Sequence, residues 1–370
     1  MKILITGAGG FMGRNLIARL NEQGNHEIFA FELDTPRERL EEYCAECDFV
    51  YHLAGVNRPK EQDEFMAGNF GFTDVLLQTL NKRHNTCPIM LSSSTQAALP
   101  NLYGKSKKAG EELMFRYAER TGATVYVFRF PNVFGKWSCP NYNSAIATFC
   151  YNIARDLPIT INDSTTVMRL VYIDDLMDAL IALLDGKTRR DGDFCTVAVT
   201  HTATLGHIAE TIESFRASRE NLSVADQSDL LTKKLYATYL SFLPEEGFAY
   251  PLTMHADARG SFTEFLRTPD RGQISVNVAK PGVVKGNHWH HTKNEKFLVV
   301  SGKGVIRFRK IDADEVIVYH VSGEFPTSVD IPIGYTHNIE NTGTTDLVTV
   351  MWASEPFDPK HPDTIHLEVE

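Results

Sequence analysis

The chain has 370 residues, of which 43% are hydrophobic, and a formal net charge of -10 at pH 7. This length is long for one domain and comfortable for two, and the acidic balance argues against nucleic acids and anionic membranes as main partners. The six cysteines form no paired framework, and no apolar run resembles a membrane span or a signal peptide, so we expect a cytoplasmic protein with free thiols.

The first predicted elements are a strand, a glycine turn and a helix. Residues 2–6 form an apolar strand, and the sequence then continues Gly7-Ala-Gly9-Gly10-Phe11-Met12-Gly13 into a helical pattern. Glycines let a pyrophosphate approach the backbone closely, and free N–H groups at the start of a helix attract the anion. The pattern therefore predicts a dinucleotide site.

Glu32 follows the second predicted strand, residues 27–31, about 20 residues after the glycine turn. A carboxylate at this place can bond the ribose hydroxyls of NAD, whereas the nearby Arg37 and Arg39 could accommodate the 2′-phosphate of NADP. The residues alone leave this choice open.

Strands continue to alternate with helices up to about residue 120. Residues 49–55 end in the small residues Ala54 and Gly55, a helix is expected from about Asp63 to Asn81, and a fourth strand, 88–91, precedes a hydroxyl cluster, Ser92 to Thr95. The alternation predicts a parallel, doubly wound sheet, in which ligands bind at the carboxyl ends of the strands. The hydroxyl cluster lies at such an end.

Tyr103 and Lys107 begin the next predicted helix and lie one turn apart on the same face. The ammonium group can lower the pKa of the phenol and hold the cofactor ribose, while a serine hydroxyl bonds a substrate carbonyl. This arrangement is typical of acid catalysis during hydride transfer to a ketone.

The ordered motifs of residues 1–243 resemble the extended short-chain dehydrogenase/reductases that act on nucleotide sugars. The motifs are Thr6-Gly7-x-x-Gly10-x-x-Gly13, Leu53-Ala54-Gly55, Ser92-Ser93-Ser94, Tyr103-x3-Lys107, Arg129-Phe-Pro-Asn132-Val-Phe-Gly135 and Arg169-Leu-Val-Tyr-Ile-Asp174-Asp175. The resemblance implies a Rossmann-like sheet whose cofactor is held by Gly7, Gly10, Phe11, Met12, Gly13, Glu32, Leu53, Ala54, Gly55 and Lys107.

The same resemblance assigns catalytic roles. Tyr103 is expected to be the general acid, Lys107 its partner and Ser94 the carbonyl-binding hydroxyl. The serine run lies only about nine residues before Tyr103, a shorter gap than in most relatives, so Ser93 or Thr95 could replace Ser94. Asn132 and Arg169 are expected to face the sugar nucleotide, with a surface ion pair as the alternative for Arg169.

The helical patterns of residues 204–216 and 230–243 are interrupted by Pro244-Glu-Glu-Gly247, and short β-rich runs follow. Pro and Gly clusters with a change of composition are typical of a domain boundary. We therefore expect a reductase domain over 1–243 and a second domain over 244–370.

A histidine-rich pattern dominates the second domain. His288 and His290 are two residues apart on a predicted strand and share a face. Glu295 begins an apolar run that is expected to return as the second strand of a hairpin, and His337 offers a fourth ligand. Three neutral imidazoles and one carboxylate suit a divalent transition metal, most commonly zinc.

The spacings Gly282-x5-His288-x-His290-x4-Glu295-x6-Gly302 and Pro332-x-Gly334-x2-His337-x3-Asn341 resemble the two motifs of the cupins, small antiparallel β-barrels. The segments around them are similar to cupin sugar epimerases, whose metal-free members have a catalytic histidine at the place of His288. Whether His288 holds a metal or moves a proton is thus open, with His291, His320 and Tyr335 as other proton-transfer candidates. Lys285 is expected to contact a diphosphate.

A short-chain reductase followed by a cupin resembles the bifunctional CapF-type enzymes of capsular polysaccharide synthesis. The resemblance implies that the cupin epimerises C3 of a UDP-2-acetamido-2,6-dideoxy-4-hexulose and that the reductase then reduces the C4 ketone with NADPH. The product would be UDP-N-acetyl-L-talosamine, on the way to UDP-N-acetyl-L-fucosamine. The order follows from chemistry, because C3 loses its acidity once C4 is an alcohol.

Two other functions fit the sequence. The cupin could be only a sugar-binding or dimerisation module, or the enzyme could be a 4-epimerase or dehydratase that recycles NAD internally. Both folds often form dimers, so a homodimer is expected.

Overall fold

The computed structural model describes residues 1–268 and 270–370. The chain divides into two compact units, here called the first unit (Met1–Glu213 with Ser228–Pro244) and the second unit (Ser214–Gln227 with Glu245–Glu370). The domain limits 1–243 and 244–370 stay a prediction, because one helix contributes residues to both units.

The first unit is built on a large sheet and a small one. The strands of the large sheet are β1 (Lys2–Thr6), β2 (Glu27–Phe31), β3 (Phe49–His52), β4 (Ile89–Ser94), β5 (Val125–Phe130), β8 (Arg189–Asp191) and β9 (Phe194–Thr196). Their order is β2-β1-β3-β4-β5-β9-β8, parallel throughout except for the β8–β9 pair. The small sheet consists of β6 (Asn132–Phe134), β7 (Val167–Tyr172) and β10 (His201–Thr204).

The α-helices of the described residues are α1 (Phe11–Gln23), α2 (Arg37–Glu46), α3 (Phe72–Lys82), α4 (Leu102–Thr121), α5 (Ala145–Ile153), α6 (Ile173–Ala182), α7 (Leu205–Asn221) and α8 (Leu230–Leu240). Five of them, α1 to α4 and α6, cover the two faces of the large sheet. One core packs α1 and α6 against Ile3 and Ile5, and the other packs α2, α3 and α4 against Leu4, because successive strand residues face opposite sides. The predicted doubly wound sheet is confirmed. Among the described residues, no helix has the length and apolar character to cross a bilayer.

The helix expected from Asp63 to Asn81 differs at its start. A π-helical turn, Met66–Gly71, precedes α3. Asn69 in this turn is buried, and its side chain bonds both the N–H and the carbonyl of Val56 at 2.9 and 2.8 Å and the Ser106 hydroxyl at 3.0 Å. These long-range bonds stabilise a widened turn that hydrophobic periodicity does not reveal.

Besides the last residues of α7, the second unit contains two antiparallel sheets. The strands are β11 (Met254–Asp257), β12 (Gly260–Thr268), β13 (Gly272–Ala279), β14 (Val284–Trp289), β15 (Glu295–Ser301), β16 (Lys303–Lys310), β17 (Val316–Ser322), β18 (Ser328–Ile331), β19 (Tyr335–Asn341), β20 (Leu347–Ala353) and β21 (Ile365–His366). Their orders are β11-β12-β13-β20-β15-β18 and β17-β16-β19-β14-β21. Phe297 and Leu347 of one sheet pack with Ile306 and Ile339 of the other, and the expected all-β cupin domain is confirmed.

The hairpin expected between His288 and Glu295 is wrong. β14 pairs with β19 and β21, whereas β15 pairs with β18 and β20 in the other sheet. The turn between them takes the chain from one sheet to the other, because Phe297 and Val299 face the core from the sheet that contains β15. Glu295 therefore approaches the imidazoles across the barrel interior, and the cross-strand neighbour of His288 is His337.

Candidate active sites

The glycine turn of the first unit lines a cavity of about 650 Å³. Gly7 has a φ of 70°, and a side chain there would place Cβ 2.8 Å from the Ala54 nitrogen. A Cβ on Gly13 would lie 2.3 Å from the Gly7 carbonyl oxygen. Only glycine fits at both places, so the N-terminus of α1 stays open towards the cavity.

The structure brings most of the predicted cofactor residues to this cavity. Its walls include Gly7, Gly10, Phe11, Met12, Gly13, Leu53 and Gly55. Ala54 lies behind them and donates its N–H to the Thr6 hydroxyl at 3.3 Å. Lys107 lies behind Gly55 of the wall. Its Nζ is so close that a Cβ on Gly55 would lie 2.8 Å from it.

Glu32 lies at the glycine turn, where its carboxylate accepts the N–H of Gly9. Burial and the neighbouring Asp34 raise the pKa of this carboxyl group. Arg39 is exposed and pairs with Glu42 at 2.7 Å. A carboxylate at this place matches the ribose contact expected for NAD, so the geometry does not by itself favour NADP.

Tyr103, Ser94 and Lys107 come together as expected. Burial raises the pKa of the Tyr103 phenol, the reverse of the lowering expected from Lys107, and its hydrogen bond with Ser94 opposes the shift. The Lys107 ammonium lies 5.9 Å from the centre of the Tyr103 ring and donates to the Ser92 carbonyl at 3.1 Å. The three groups can therefore hold a carbonyl oxygen and deliver a proton to it.

The side chains of the serine run point in different directions. Ser93 is buried and donates to the Glu111 carboxylate at 2.5 Å. Ser94 accepts the N–H of Gln96 at 3.2 Å and bonds Tyr103. Thr95 also lines the cavity. Because Ser93 is bonded inward, the geometry supports Ser94 as the carbonyl-binding hydroxyl.

Glu111 is a residue of this region that the sequence reasoning missed. Its carboxylate is only 3% exposed and is bound by Arg129 through Nε at 2.9 Å and a second nitrogen at 2.6 Å. Burial lowers the pKa of Lys107, and the negative charge of Glu111 acts to raise it. The signal was present, because Lys107 and Glu111 are four residues apart on one helix face.

Replacing Glu111 by Ala is expected to destabilise the chain by about 3–5 kcal/mol, because it leaves the Arg129 guanidinium without its buried partner. The matched control is Glu112→Ala, one residue along α4 and exposed, which should cost about 0.5 kcal/mol or less. Urea unfolding measures both values. Equal losses would show that the Glu111–Arg129 pair has no special structural role.

Asn132 and Arg169 lie next to each other, but only one faces the cavity. Asn132 lines it and donates to the Arg169 carbonyl at 3.2 Å. The Arg169 side chain is exposed and is not among the described residues of the cavity wall. The structure therefore supports a substrate contact for Asn132 more directly than for Arg169.

The four predicted metal ligands of the second unit come together. One ligand atom from each of His288, His290, Glu295 and His337 lies within 4.8 Å of the others. The Nε2 atoms of His290 and His337 are 3.3 and 3.4 Å from one oxygen of Glu295. A register shift between Gly286 and His288 places His288 opposite His337 on the neighbouring strand.

The cluster is suited to a divalent cation. Among the described residues, His290 Nε2, His337 Nε2 and Glu295 Oε2 are buried without a hydrogen-bond partner. Burial acts to raise the pKa of Glu295, but the two imidazoles beside it outweigh this effect and hold the pKa below its usual value. Burial lowers the pKa of His288 to about 4. Neutral imidazoles around a carboxylate are the charge states that bind zinc.

A cavity of about 590 Å³ lies beside the cluster. Glu295 forms part of its wall, together with Lys293, Arg267 and the apolar Phe262 and Met351. The wall also contains Glu355 and Glu264, and Glu264 pairs with Arg267 at 2.7 and 2.8 Å. Among the described residues, the cavity therefore offers an apolar face and one cation without a carboxylate partner, Lys293, next to the four-residue cluster.

The other proton-transfer candidates, His291, His320 and Tyr335, lie outside the described wall of this cavity. His291 packs against Trp289, with ring centres 4.4 Å apart, and His320 is exposed on the edge strand β17.

Lys285, expected at a diphosphate, bonds within the second unit instead. Its ammonium donates to the Asn277 side chain and to the Val278 carbonyl, each at 2.8 Å. Burial lowers its pKa. These bonds leave little of its donor capacity for a diphosphate.

Known protein families match both the N-terminal and the C-terminal part of the chain. Residues 3–198 match the NAD dependent epimerase/dehydratase family, and residues 255–365 match the polysaccharide biosynthesis C-terminal domain. A UDP-2-acetamido-2,6-beta-L-arabino-hexul-4-ose reductase of Pseudomonas aeruginosa is 46% identical, over 98% of both chains.

Two solved structures match the whole chain. The capsular polysaccharide assembling protein CapF from Staphylococcus aureus is 52% identical, with 100% of both chains covered and a TM-score of 0.95. A structure of CapF with the inhibitor 3-isopropenyl-tropolone is 48% identical, with the same coverage and a TM-score of 0.90. The chain therefore belongs to the NAD dependent epimerase/dehydratase family, as a CapF homologue with a C-terminal polysaccharide biosynthesis domain.

Proposed function

We propose that the chain is a bifunctional nucleotide-sugar enzyme of capsular polysaccharide synthesis. The second unit epimerises C3 of a UDP-2-acetamido-2,6-dideoxy-4-hexulose, and the first unit reduces the C4 ketone to give UDP-N-acetyl-L-talosamine. The main support is a combination of two observations. The chain is similar over 98% of its length to a reductase of such a ketose, and both the reductase residues Ser94, Tyr103 and Lys107 and the four-ligand cluster are assembled.

For the reduction, NADPH would supply the hydride to C4 when it is bound at the glycine turn. Ser94 donates a hydrogen bond to the C4 oxygen and orients the carbonyl. Tyr103 gives its phenolic proton to that oxygen as negative charge develops, and the Lys107 ammonium stabilises the phenolate that remains. The burial that raises the Tyr103 pKa keeps the phenol protonated before reaction.

For the epimerisation, a divalent ion held by His288, His290, Glu295 and His337 would polarise the C4 ketone and acidify C3–H. A base of the chain removes the C3 proton, and protonation from the opposite face inverts the centre. As a metal ligand His288 cannot be that base, and none of the other sequence candidates, His291, His320 and Tyr335, is among the described residues of the cavity wall. Lys293 in the cavity wall favours the negative charge of the enolate, whereas Arg267 is already paired with Glu264.

One relative is a CapF with the inhibitor 3-isopropenyl-tropolone, whose chemical class is compatible with a metal site. A tropolone carries a hydroxyl next to a ketone, and two adjacent oxygens of this kind chelate divalent cations. In this chain the hexulose ketone would be the corresponding oxygen donor. Zinc is the metal we propose, because imidazole with one carboxylate is a common zinc ligand set.

NADPH, a homodimer and a cytoplasmic location complete the proposal. NADPH follows from the resemblance to CapF-type enzymes. Because the Glu32 carboxylate lies at the glycine turn, NADH is the alternative cofactor. A cytoplasmic site would give the enzyme direct access to nucleotide sugars and reduced cofactor.

Reduction should depend on pH through Lys107. Burial lowers the pKa of this ammonium to about 8, with Glu111 opposing the shift. The ammonium is the active form, so kcat/KM with NADPH varied should stay level below pH about 8 and fall about tenfold per unit above it. Tyr103 titrates higher, since its pKa is raised. A profile that stays flat to pH about 9.5 would contradict this role of Lys107.

The test of the function is incubation with a UDP-4-keto-6-deoxy-N-acetyl sugar, with and without NADPH, followed by NMR of the products. We expect one NADPH oxidised per sugar reduced, and a product inverted at C3. Conversion without net NADPH oxidation would support internal recycling of NAD. Reduction without inversion, by a chain that binds no metal, would support the cupin as a binding or dimerisation module.

A further inference from the structure

The C-terminal strap, residues 363–369, is docked against the strand that carries the histidines. Its short strand β21 pairs with β14, so that His366 lies opposite His288 and Ile365 opposite Trp289. The Leu367 N–H donates to the Asn287 carbonyl at 3.0 Å. Beyond it, Val369 is fully buried. The strap is thus an integral part of the sheet that holds the cluster.

The Asp363 carboxylate organises the turn that leads from the histidines to Glu295. One oxygen accepts the N–H of His291 at 2.9 Å. The other accepts the N–H groups of Thr292 and Lys293 at 2.7 and 2.9 Å, and the Thr292 hydroxyl at 3.0 Å. One side chain therefore binds three consecutive amides of the five-residue connection, 290–294, between β14 and β15.

The Asp363 backbone acts on the ring of His290. Its carbonyl oxygen contacts His290 Nδ1, while Nε2 of the same ring faces Glu295 at 3.3 Å. A carbonyl partner requires the proton on Nδ1, which leaves the Nε2 lone pair for a metal ion. Among the described residues, neither ring nitrogen of His337 has a hydrogen-bond partner, whereas His288 has a hydrogen bond with the backbone of Gly286 on its own strand. Of the three imidazoles, His290 is the one held by the strap.

We propose that the strap is a positioning device for the metal cluster, with Asp363 as its key residue. Asp363 lies 72 residues after His291 and outside both sequence motifs, yet its carbonyl fixes the tautomer of His290 and its carboxylate holds the turn that leads to Glu295. This inference rests on the proposed metal site. It adds that the site is preformed only while the strap is docked.

Docking of the strap and binding of the metal are expected to favour each other by the same factor. If docking of the strap tightens metal binding by some factor, bound metal must stabilise the docked strap by the same factor. Partners of metal-ligating histidines typically contribute 10–100-fold to metal affinity, so the strap amides should open about 10–100-fold less often in the metal-loaded chain.

The first experiment measures Zn²⁺ affinity by competition with a chromophoric chelator. Asp363→Asn should bind Zn²⁺ about 10–100-fold more weakly than the unmodified chain. The matched control is Asp358→Asn, a carboxylate in the preceding segment that binds the Lys360 amide at 2.8 Å and His361 at 3.0 Å, and it should bind as the unmodified chain does. Equal affinities for all three proteins would overturn the proposal.

The second experiment needs no variant. Hydrogen exchange of the C-terminal peptide that contains the Leu367 amide is measured in the metal-free chain and with Zn²⁺. We expect exchange about 10–100-fold slower with Zn²⁺, and unchanged exchange would overturn the coupling. Failure of the unmodified chain to bind Zn²⁺ at all would instead remove the proposed metal site, so the two failures are distinguishable.

Discussion

Replacing Tyr103 by Phe is expected to lower the rate of C4 reduction about 10²–10⁴-fold, the usual contribution of a positioned general acid. The aromatic ring and its packing remain, so NADPH affinity should be retained. Stopped-flow oxidation of NADPH by the 4-ketone measures the rate. The exchange of C3–H with solvent should continue unchanged, because the proposed function assigns this exchange to the cluster of the second unit.

The matched control is Tyr117→Phe on the same helix. Tyr117 donates its hydroxyl to the Asn85 carbonyl at 3.1 Å, away from the cavity wall. Its loss should cost about 1 kcal/mol of stability and leave the rate of reduction unchanged. A Tyr103→Phe protein that reduces the ketone within about threefold of the unmodified rate would show that another group supplies the proton.

Replacing Glu295 by Gln is expected to reduce C3 exchange by more than about 100-fold. The change removes the one anionic ligand of the cluster, an effect that should exceed the 10–100-fold of a supporting residue. Zn²⁺ should raise the unfolding temperature of the unmodified chain, since a ligand that binds only the folded state stabilises it, and should no longer do so in the variant.

A chelator gives an independent control for Glu295→Gln, because it removes the metal without changing the chain. Dialysis against the chelator should abolish C3 exchange, and added Zn²⁺ should restore it. Exchange that survives both the substitution and the chelator would show that a metal-free base carries the reaction, as in the epimerases that use a histidine at the place of His288.

The sequence predicted the parts of the sites that depend on local spacing. The glycine turn needs Gly7 and Gly13 because backbone atoms occupy the space of a side chain, and the interval between His288 and His290 follows from strand alternation. The helical repeat predicts that Tyr103 and Lys107 share a face, whereas their roles follow from the family resemblance. Each of these arrangements depends on residues that are close together in the sequence.

The features that were missed depend on contacts far apart in the chain. Glu111 gains its importance from Arg129 on β5, and Asp363 from a turn 72 residues earlier. The expected hairpin at Glu295 was wrong for the same reason, because an apolar run after two histidines does not show which sheet it joins. The π-helical turn at Asn69 is stabilised by Val56 and Ser106, which no local pattern connects.

The most direct test of the two-site account is solvent deuterium at C3. The full-length chain, loaded with Zn²⁺, is incubated with the UDP-4-keto sugar in D₂O without any nicotinamide cofactor, and C3 is observed by NMR. We predict deuterium at C3 with both the unmodified chain and Tyr103→Phe, and none with Glu295→Gln. Absence of deuterium from an unmodified chain that still reduces the ketone with NADPH would contradict the epimerase role of the second unit.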